Sequence, residues 1–319
     1  MTQLDTLVRV SRLYYELGET QGRIAELVGV TRPQVSKLLK QARSEGIVEI
    51  RIHERAEETS PAADELKRRF GLREVHLAPT LDGPDDLTRR SIGRLGALVV
   101  RSAVRDGTIM GVGDGAAVSA TADAFPEATS PTAATVVPLC GGYWFAGPAR
   151  EPFRRIAEAL GATAHGLLAP GLVDDAATKQ ALTRHAGIRR VLDLWERLDL
   201  AVFGIGGRSW SAASLGADVA RALDAGGAVG EVLIAPFDLD GRFANREALR
   251  SRTIAFDAPD LRRVPLSIAI AGGPSKVAPI LGALRAGLVG SLVTDVATAV
   301  AVVALDDETR ESRMPEAGG

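Results

Sequence analysis

The sequence is short of the residues from which a catalytic or metal-dependent chemistry is usually read. It has a single cysteine, Cys140, in 319 residues, which excludes an intrachain disulfide framework. Its four histidines, with that one thiol, do not make a zinc set of the usual spacing. Long apolar runs are missing as well, so no segment is expected to span a membrane. The N-terminus, MTQLDTLVRVSRLYYELGET, places acidic residues at an amphipathic period where a signal peptide has a basic segment followed by an apolar one. A reducing cytoplasm is the expected compartment. A strong charge of either sign is also absent: the formal net charge is -2, which argues against an indiscriminate polyanion binder. What remains, 46% hydrophobic and 24% charged residues, is the composition of an ordinary soluble chain long enough for two domains and a sizeable core.

The charge is unevenly spread. Residues 1–52 hold eight Lys/Arg and six Asp/Glu, against thirty and thirty-four in the remainder. Between Arg32 and Ser44 the basic residues Arg32, Lys37, Lys40 and Arg43 have no acidic neighbour. Apolar residues at Leu7, Val10, Tyr14 and Leu17 recur at helical spacing and predict a first helix. Thr20 can cap a short second helix, QGRIAELV, which Gly29 ends by taking positive φ. Thr31 can cap a third, with Pro33 in its first turn where no intrahelical hydrogen bond is lost. There Val35, Leu38, Leu39 and Ala42 form one stripe and Lys37 and Lys40 lie opposite.

Two short helices joined by a tight glycine turn cross closely, which requires a small residue in the first, and Ala25 supplies it. The spacing Gln21, Ala25, Gly29, Val35, Leu38 is that of a helix-turn-helix. Gln21, Thr31, Arg32, Gln34, Ser36, Lys37, Lys40 and Arg43 are therefore candidate DNA-contacting residues, with Arg32, Gln34 and Lys37 suited to base edges and Lys40 and Arg43 to phosphates. The following GIVEIRIH reads as a short strand, a wing beside DNA or a closure of the small domain.

A charged, proline-marked stretch, ERAEETSPAADELKRRFG, then marks a boundary, with a linker helix from Ala62 to Phe70. Beyond it the apolar runs VHLA, TIMGVG, TVVPLC, LAVFGIGG, VLIAPF, LSIAIAGG and GSLVTD alternate with amphipathic stretches such as PFRRIAEALG and APILGALRAG. That alternation predicts a mostly parallel sheet covered by helices on both faces. Three glycine loops, 111–119, 204–209 and 271–276, follow strands. There backbone amides at a helix N-terminus can approach an anion, so together they favour a ligand pocket. GVGDGA formally matches a dinucleotide fingerprint, but it stands more than a hundred residues into the chain and the next strand lacks an evident acid for a ribose. A dinucleotide is not expected, and no other cofactor or metal is.

The segment LYYELGETQGRIAELVGVTRPQVSKLLKQARSEGIVEIRI resembles the N-terminal domain of the SorC family of sugar-responsive bacterial transcriptional regulators. GVGDG, VVPLCGG, LAVFGIGG, GAVGEVLIAPFDLDG and AGGPSKVAPILGALRAGLVGSLVTDVATA are similar in order and spacing to its effector domain. The resemblance implies an N-terminal all-α winged helix-turn-helix domain at 1–53, a linker helix at 54–71, and an α/β effector domain at 72–305 related in fold to sugar-phosphate isomerases; the tail at 306–319, polar and without a helical apolar stripe, is expected to be disordered. It also implies operator DNA as a partner, a sugar, sugar phosphate or polyol as effector, and a homo-oligomer, commonly a tetramer. The effector contacts it points to are Gly111, Gly113, Asp114, Gly115, Gly141, Gly142, Gly206, Gly207, Asp238, Lys276 and Asp295. Trp144 and Trp210 are candidates for stacking on a sugar face.

The sequence also departs from that family. A tryptophan followed by arginine and threonine commonly continues its first glycine loop, whereas Asp114, Ala116 and Ala117 stand here, and Glu151 and Pro152 replace a common asparagine. An aspartate in an anion-cradling loop is unfavourable, which favours an unphosphorylated polyol or another metabolite. The competing class is an isomerase-like enzyme, against which no histidine, His165 and His185 included, sits in an acid/base constellation. A nucleoid or scaffolding protein would bind DNA with little sequence preference, and the acidic C-terminal part speaks against it.

Overall fold

The computed structural model describes residues 2–48, 60–81, 83–125, 131–142, 151–208 and 217–312, and the chain divides into two compact units, residues 1–58 and 59–319. In the first unit, α1 (Gln3–Ser11) opens with a capping box between Thr2 and Asp5 and runs on through a wider turn, Arg12–Glu16. Helices α2 (Gln21–Val28) and α3 (Arg32–Ser44) follow. Thr20 caps α2, and Gly29 ends it at φ 74°, a left-handed conformation that costs glycine little. Val10, Ile24, Ala25, Val35 and Leu39 form the small core of the three helices. Beyond Val48 the expected wing strand lies outside the described residues.

In the second unit, α4 (Pro61–Phe70) buries Ala62 and Leu66 and stops at Gly71, φ 66°. The chain then alternates strand and helix: β1 (Glu74–Ala78), α5 (Asp85–Ala103), β2 (Ile109–Val112), α6 (Ala116–Asp123), β3 (Thr135–Pro138), α7 (Pro152–Leu160) and β4 (Thr163–Ala164). It continues with α8 (Ala176–Arg184), α9 (Ala186–Trp195), β5 (Leu200–Gly204), α10 (Ala217–Ala225), β6 (Ala228–Val232), β7 (Ala235–Asp238) and α11 (Arg246–Arg250). Last come β8 (Leu266–Ile270), α12 (Val277–Arg285), β9 (Ser291–Asp295) and α13 (Val296–Glu311).

Seven strands pair in the order β1-β9-β8-β5-β2-β3-β4, every pair parallel. A parallel sheet buried on both faces needs apolar residues at both parities of a strand. Along β5, Leu200 and Val202 enter one core cluster while Ala201 and Phe203 enter the other. That is why LAVFG reads as a continuous apolar run.

Three features differ from the sequence expectation. VLIAPF is not one strand: β6 and β7 pair antiparallel as a hairpin, turning at Leu233 and Ile234 with φ of 51° and 66°. Hairpin turns of this kind usually advertise themselves with Asn or Gly, and neither residue is present. The turn is held instead by Glu231, whose Oε2 accepts the Ile234 amide at 2.9 Å. The short strand β4 has too few residues to show a pattern. The tail expected from residue 306 is helical through Glu311, because Asp306 is buried against α4 and α12 and anchors that last stretch.

Candidate functional site

From β2 the chain passes through α6 to β3 on one side, whereas β5 is followed by β8 on the other. In open α/β sheets such a reversal leaves a crevice at the carboxyl ends of the two strands, here β2 and β5, and ligands bind there. Gly113 and Gly204 stand at its mouth. A methyl group on Gly113 would lie 3.1 Å from Phe203 Cβ and 3.3 Å from Leu233, and one on Gly204 3.7 Å from the Asp114 carbonyl.

The exit of β5 carries the charged part of the site. Gly206 exchanges backbone hydrogen bonds with Glu231, at 2.9 and 3.1 Å, which brings the hairpin over the strand end. A methyl group on Gly206 would lie 2.5 Å from Glu231 Oε1, and one on Gly207 would lie 3.7 Å from Lys276 Nζ. The two glycines therefore leave room for a carboxyl and an ammonium side by side. Burial pushes the Glu231 carboxyl up, opposed by the Ile234 amide and by Lys276. Burial pushes the Lys276 ammonium down, opposed by Glu231 and reinforced by Arg89. Among the described residues Lys276 and Arg89 make no ion pair within 4 Å, so both cations remain open to an anionic or strongly polar ligand.

The first loop is arranged differently. Asp114 is exposed, and its Oδ1 accepts the amide of Gly115 at 2.7 Å. The chain's own carboxylate thus occupies an amide that would otherwise face an anion at the N-terminus of α6. Burial first, then the charges of Asp114 and Glu231, push the Cys140 thiol up to about 12. It is a neutral, unreactive group at this site.

Asp295, 2% exposed, lies beneath the third loop. Its Oδ1 caps α13 through the Thr298 amide at 3.0 Å. Its Oδ2 accepts the Gly273 amide at 3.0 Å and the Thr298 hydroxyl at 2.6 Å. It fixes the loop that leads to Lys276 and has no free oxygen for a ligand, so it is a positioning residue.

The expected effector residues therefore separate into groups. Gly113, Asp114, Gly115, Gly206, Gly207 and Lys276 come together at the crevice. Gly111 does not reach it: the residue lies inside β2, where a methyl group would meet Leu139 at 2.3 Å. Gly141 is required for close passage of backbone, its methyl position being 2.5 Å from the Ala169 carbonyl, and exposed Gly142 donates its amide to that same carbonyl at 2.9 Å. Asp238 closes its own turn, its Oδ1 accepting the amides of Asp240 and Arg242 at 2.9 and 2.8 Å, beside the middle of α12 at Gly282. Trp144 and Trp210 lie outside the described residues. His185 spends its ring nitrogen capping α9 through the Gly187 amide at 3.3 Å. Two residues went unnoticed in the sequence, Glu231 and Arg89. The first had a signal, a single acid inside the apolar run AVGEVLIAPF; the second had none, being one more arginine on an amphipathic helix.

In the first unit, Thr31, Arg32, Gln34, Ser36, Lys37, Lys40 and Arg43 are exposed on or beside α3 and Gln21 is half-buried. Among the described residues Arg32, Lys37, Lys40 and Arg43 make no ion pair within 4 Å. Gln34 is less free than expected. Its Oε1 accepts the Thr31 amide at 2.7 Å and the Thr31 hydroxyl at 2.9 Å, completing a capping box.

Comparison with known proteins places the chain in a family. Residues 54–304 match the Sugar-bind family, "Putative sugar-binding domain". The chain is 29% identical to the sorbitol operon regulator of Klebsiella pneumoniae over 92% of its own length and 96% of that protein. It is 30% identical to the deoxyribonucleoside regulator of Bacillus subtilis (strain 168) over 93% and 96%. The crystal structure of the full-length sorbitol operon regulator SorC from Klebsiella pneumoniae superposes with a TM-score of 0.70 at 28% identity, covering 93% of this chain and 98% of that one. No helix among the described residues is long and apolar enough to cross a membrane. The chain belongs to the SorC family of sugar-binding transcriptional regulators.

Proposed function

We propose that the protein is a cytoplasmic, sequence-specific repressor or activator whose operator binding is set by a small polar metabolite in the crevice between β2 and β5. The observation that carries this reading is the placement of Glu231 over Gly206 and of Lys276 over Gly207. A carboxyl and an ammonium, both biased by burial toward their neutral forms, suit hydroxyl-rich ligands: one accepts and the other donates, and neither needs a full counter-charge. Because Asp114 already fills the Gly115 amide, the α6 end of the crevice suits hydroxyls. Lys276 and Arg89 suit an acidic oxygen or phosphate. The effector class is therefore a sugar, a polyol or one of their phosphates, with any phosphate at the Lys276 end.

The first unit acts as a winged helix-turn-helix, with α3 in the major groove and its exposed cations on phosphates and base edges. A symmetric homo-oligomer, a tetramer in the simplest arrangement, sets half-site spacing. The effector shifts the population between forms that do and do not match that spacing, so it must bind the two with different affinity. The pocket is a sensor and carries no catalytic role in this reading.

Fluorescence anisotropy at fixed salt tests it, using DNA from upstream of the protein's own gene against scrambled DNA, with a panel of sugars, polyols and their phosphates. The expected result is preference for the native DNA, altered by one compound in the wild type and unaltered in Lys276→Met. Equal binding to both DNAs under every condition, or turnover of a sugar phosphate by the panel-treated protein, would overturn it.

A further inference from the structure

A second cavity, of about 180 Å³, is enclosed by the β6–β7 hairpin, α8, α11 and residues 253–258. Neither Glu231 nor Lys276 nor any of the strand-end glycine loops lines it. Its charged lining is unbalanced: Lys179, Arg246 and Arg250 face a single carboxylate, Asp257. Asp257 is shared between Arg246, at 3.0 Å, and Arg250, at 3.1 Å. Among the described residues Lys179 Nζ donates to a neutral partner, the Arg250 carbonyl, at 2.7 Å, and makes no ion pair within 4 Å. Burial first, and then the Arg250 charge, depress the Lys179 ammonium, while Asp257 offsets this in part. The lining thus carries three cations to one carboxylate, with Lys179 half-buried and the Arg246 and Arg250 side chains 43% and 57% exposed.

The remaining wall is apolar, with Phe256 8% exposed and Phe243 half-buried. The Arg246 guanidinium lies over the Phe243 ring at 5.7 Å from its centroid, which holds it in place before any ligand arrives. Convergent cations on one side and aromatic surface on the other describe a ligand with an anionic head and an apolar body.

We propose that this cavity is a second small-molecule site, distinct from the crevice at β2 and β5, that takes a compact organic anion with an aromatic or alkyl body. An anionic oxygen would bridge Lys179 and Arg246, and the body would lie against Phe243 and Phe256. A phosphate ester and a carboxylate share this chemistry.

Isothermal titration of the full-length protein with phenyl phosphate, benzoate and the uncharged benzyl alcohol tests the site, in the wild type and in Lys276→Met, Lys179→Met and Arg246→Met. Circular dichroism confirms that each variant is folded. Lys179 lies on α8, which buries no residue, so Lys179→Met is expected to fold, and Arg246→Met stands beside it as an independent disruption. The expected result is saturable binding of one or both anions, unchanged in Lys276→Met and weakened about tenfold or more in Lys179→Met and Arg246→Met, a charge-assisted contact having been removed. Preference for phenyl phosphate or for benzoate identifies the head group. No saturable binding of either anion, loss in Lys276→Met, indifference to both cavity substitutions, or equal binding of benzyl alcohol would each overturn the proposal. The Lys276→Met arm separates this site from the effector crevice, so failure of one reading leaves the other standing.

Discussion

Arg69 Nη1 lies 3.0 Å from Asp306 Oδ2, and Arg285 Nη2 lies 2.8 Å from the other oxygen of the same carboxylate. One aspartate side chain, 1% exposed, thereby joins α4, α12 and α13. The Arg285 side also closes on Thr309, and Arg310 approaches Asp306 at 2.9 Å. Helix α12 starts beside Lys276 in the crevice and ends at Arg285 in this cluster. The helix that leads out of the proposed ligand site is thus clamped at its far end to the first helix of the unit.

Asp306→Asn is expected to destabilise the second unit by about 1–3 kcal/mol, since Arg69 and Arg285, 10% and 12% exposed, each lose one charged partner while Arg69 keeps Glu65 and Asp307 and Arg285 keeps Asp240. Urea denaturation reads this as a lower midpoint. Burial alone would raise the Asp306 carboxyl, but hydrogen bonds from Arg285 and Arg69 and the charge of Arg310 outweigh it and lower it below the ordinary range. A depressed folded-state value means the stabilisation is complete above the unfolded aspartate value, about 4, and is lost as pH falls through the folded value. The wild type should therefore lose its advantage over Asp306→Asn on acidification below about pH 4. An advantage that is constant with pH would refute the assignment.

The sheet was legible in the sequence because a parallel sheet buried on both faces leaves continuous apolar runs, and β5, β8 and β9 have no other reading. The helices of the first unit were legible because Thr20, Gly29, Thr31 and Pro33 each act locally. The hairpin was not legible, since its turn at Leu233–Ile234 depends on the carboxylate of Glu231 and not on turn residues. Tertiary contact likewise decided Asp306, which reads as part of a polar tail until Arg69, 237 positions away, is folded against it. Lys276 was named through the family resemblance, and its Nζ lies 3.7 Å from the methyl position of Gly207. Asp238 and Asp295 shared the same residue type and a similar strand-end position, yet backbone amides consume the former's Oδ1 and both oxygens of the latter.

Glu231→Gln separates the proposed ligand role of that residue from its cost. Burial raises the carboxyl, so the wild type bears a penalty that is absent at acidic pH and complete once pH exceeds the raised folded value. The variant should melt higher than the wild type at neutral pH, with the difference closing on acidification, while the effector response on DNA falls at least about tenfold. Differential scanning at several pH values and anisotropy with the effector check the two halves. A variant that melts lower at neutral pH would show that the carboxylate is needed for the Leu233–Ile234 turn more than burial penalises it.

Asp295→Ala removes both the cap of α13 and the anchor of Gly273. The loss of stability is expected at about 1–3 kcal/mol, the range for a cap together with buried amides left unpaired. Effector affinity should drop although no ligand contact is removed, because the loop before Lys276 loses its fixed position. Asp295→Asn, which keeps one acceptor toward Thr298 or Gly273, should recover part of both. Equal affinity in the wild type and the alanine variant, measured by titration, would show that the loop holds its place unaided.

The exposed face of α3 allows phosphate contacts to be told from helix capping. Lys40→Ala should weaken binding to native and scrambled DNA alike and reduce the slope of log affinity against log salt by about 0.9, one counterion's worth. Gln34→Ala should leave that slope unchanged, because its side-chain oxygen is committed to Thr31, and should cost about 0.5–1 kcal/mol of stability through the lost half of the capping box. Arg32→Ala, at the N-terminal end of the helix where base edges are read, should narrow the gap between native and scrambled DNA. If the slope shifts with Gln34→Ala and not with Lys40→Ala, α3 meets DNA along a different face from the one its exposed lysines mark.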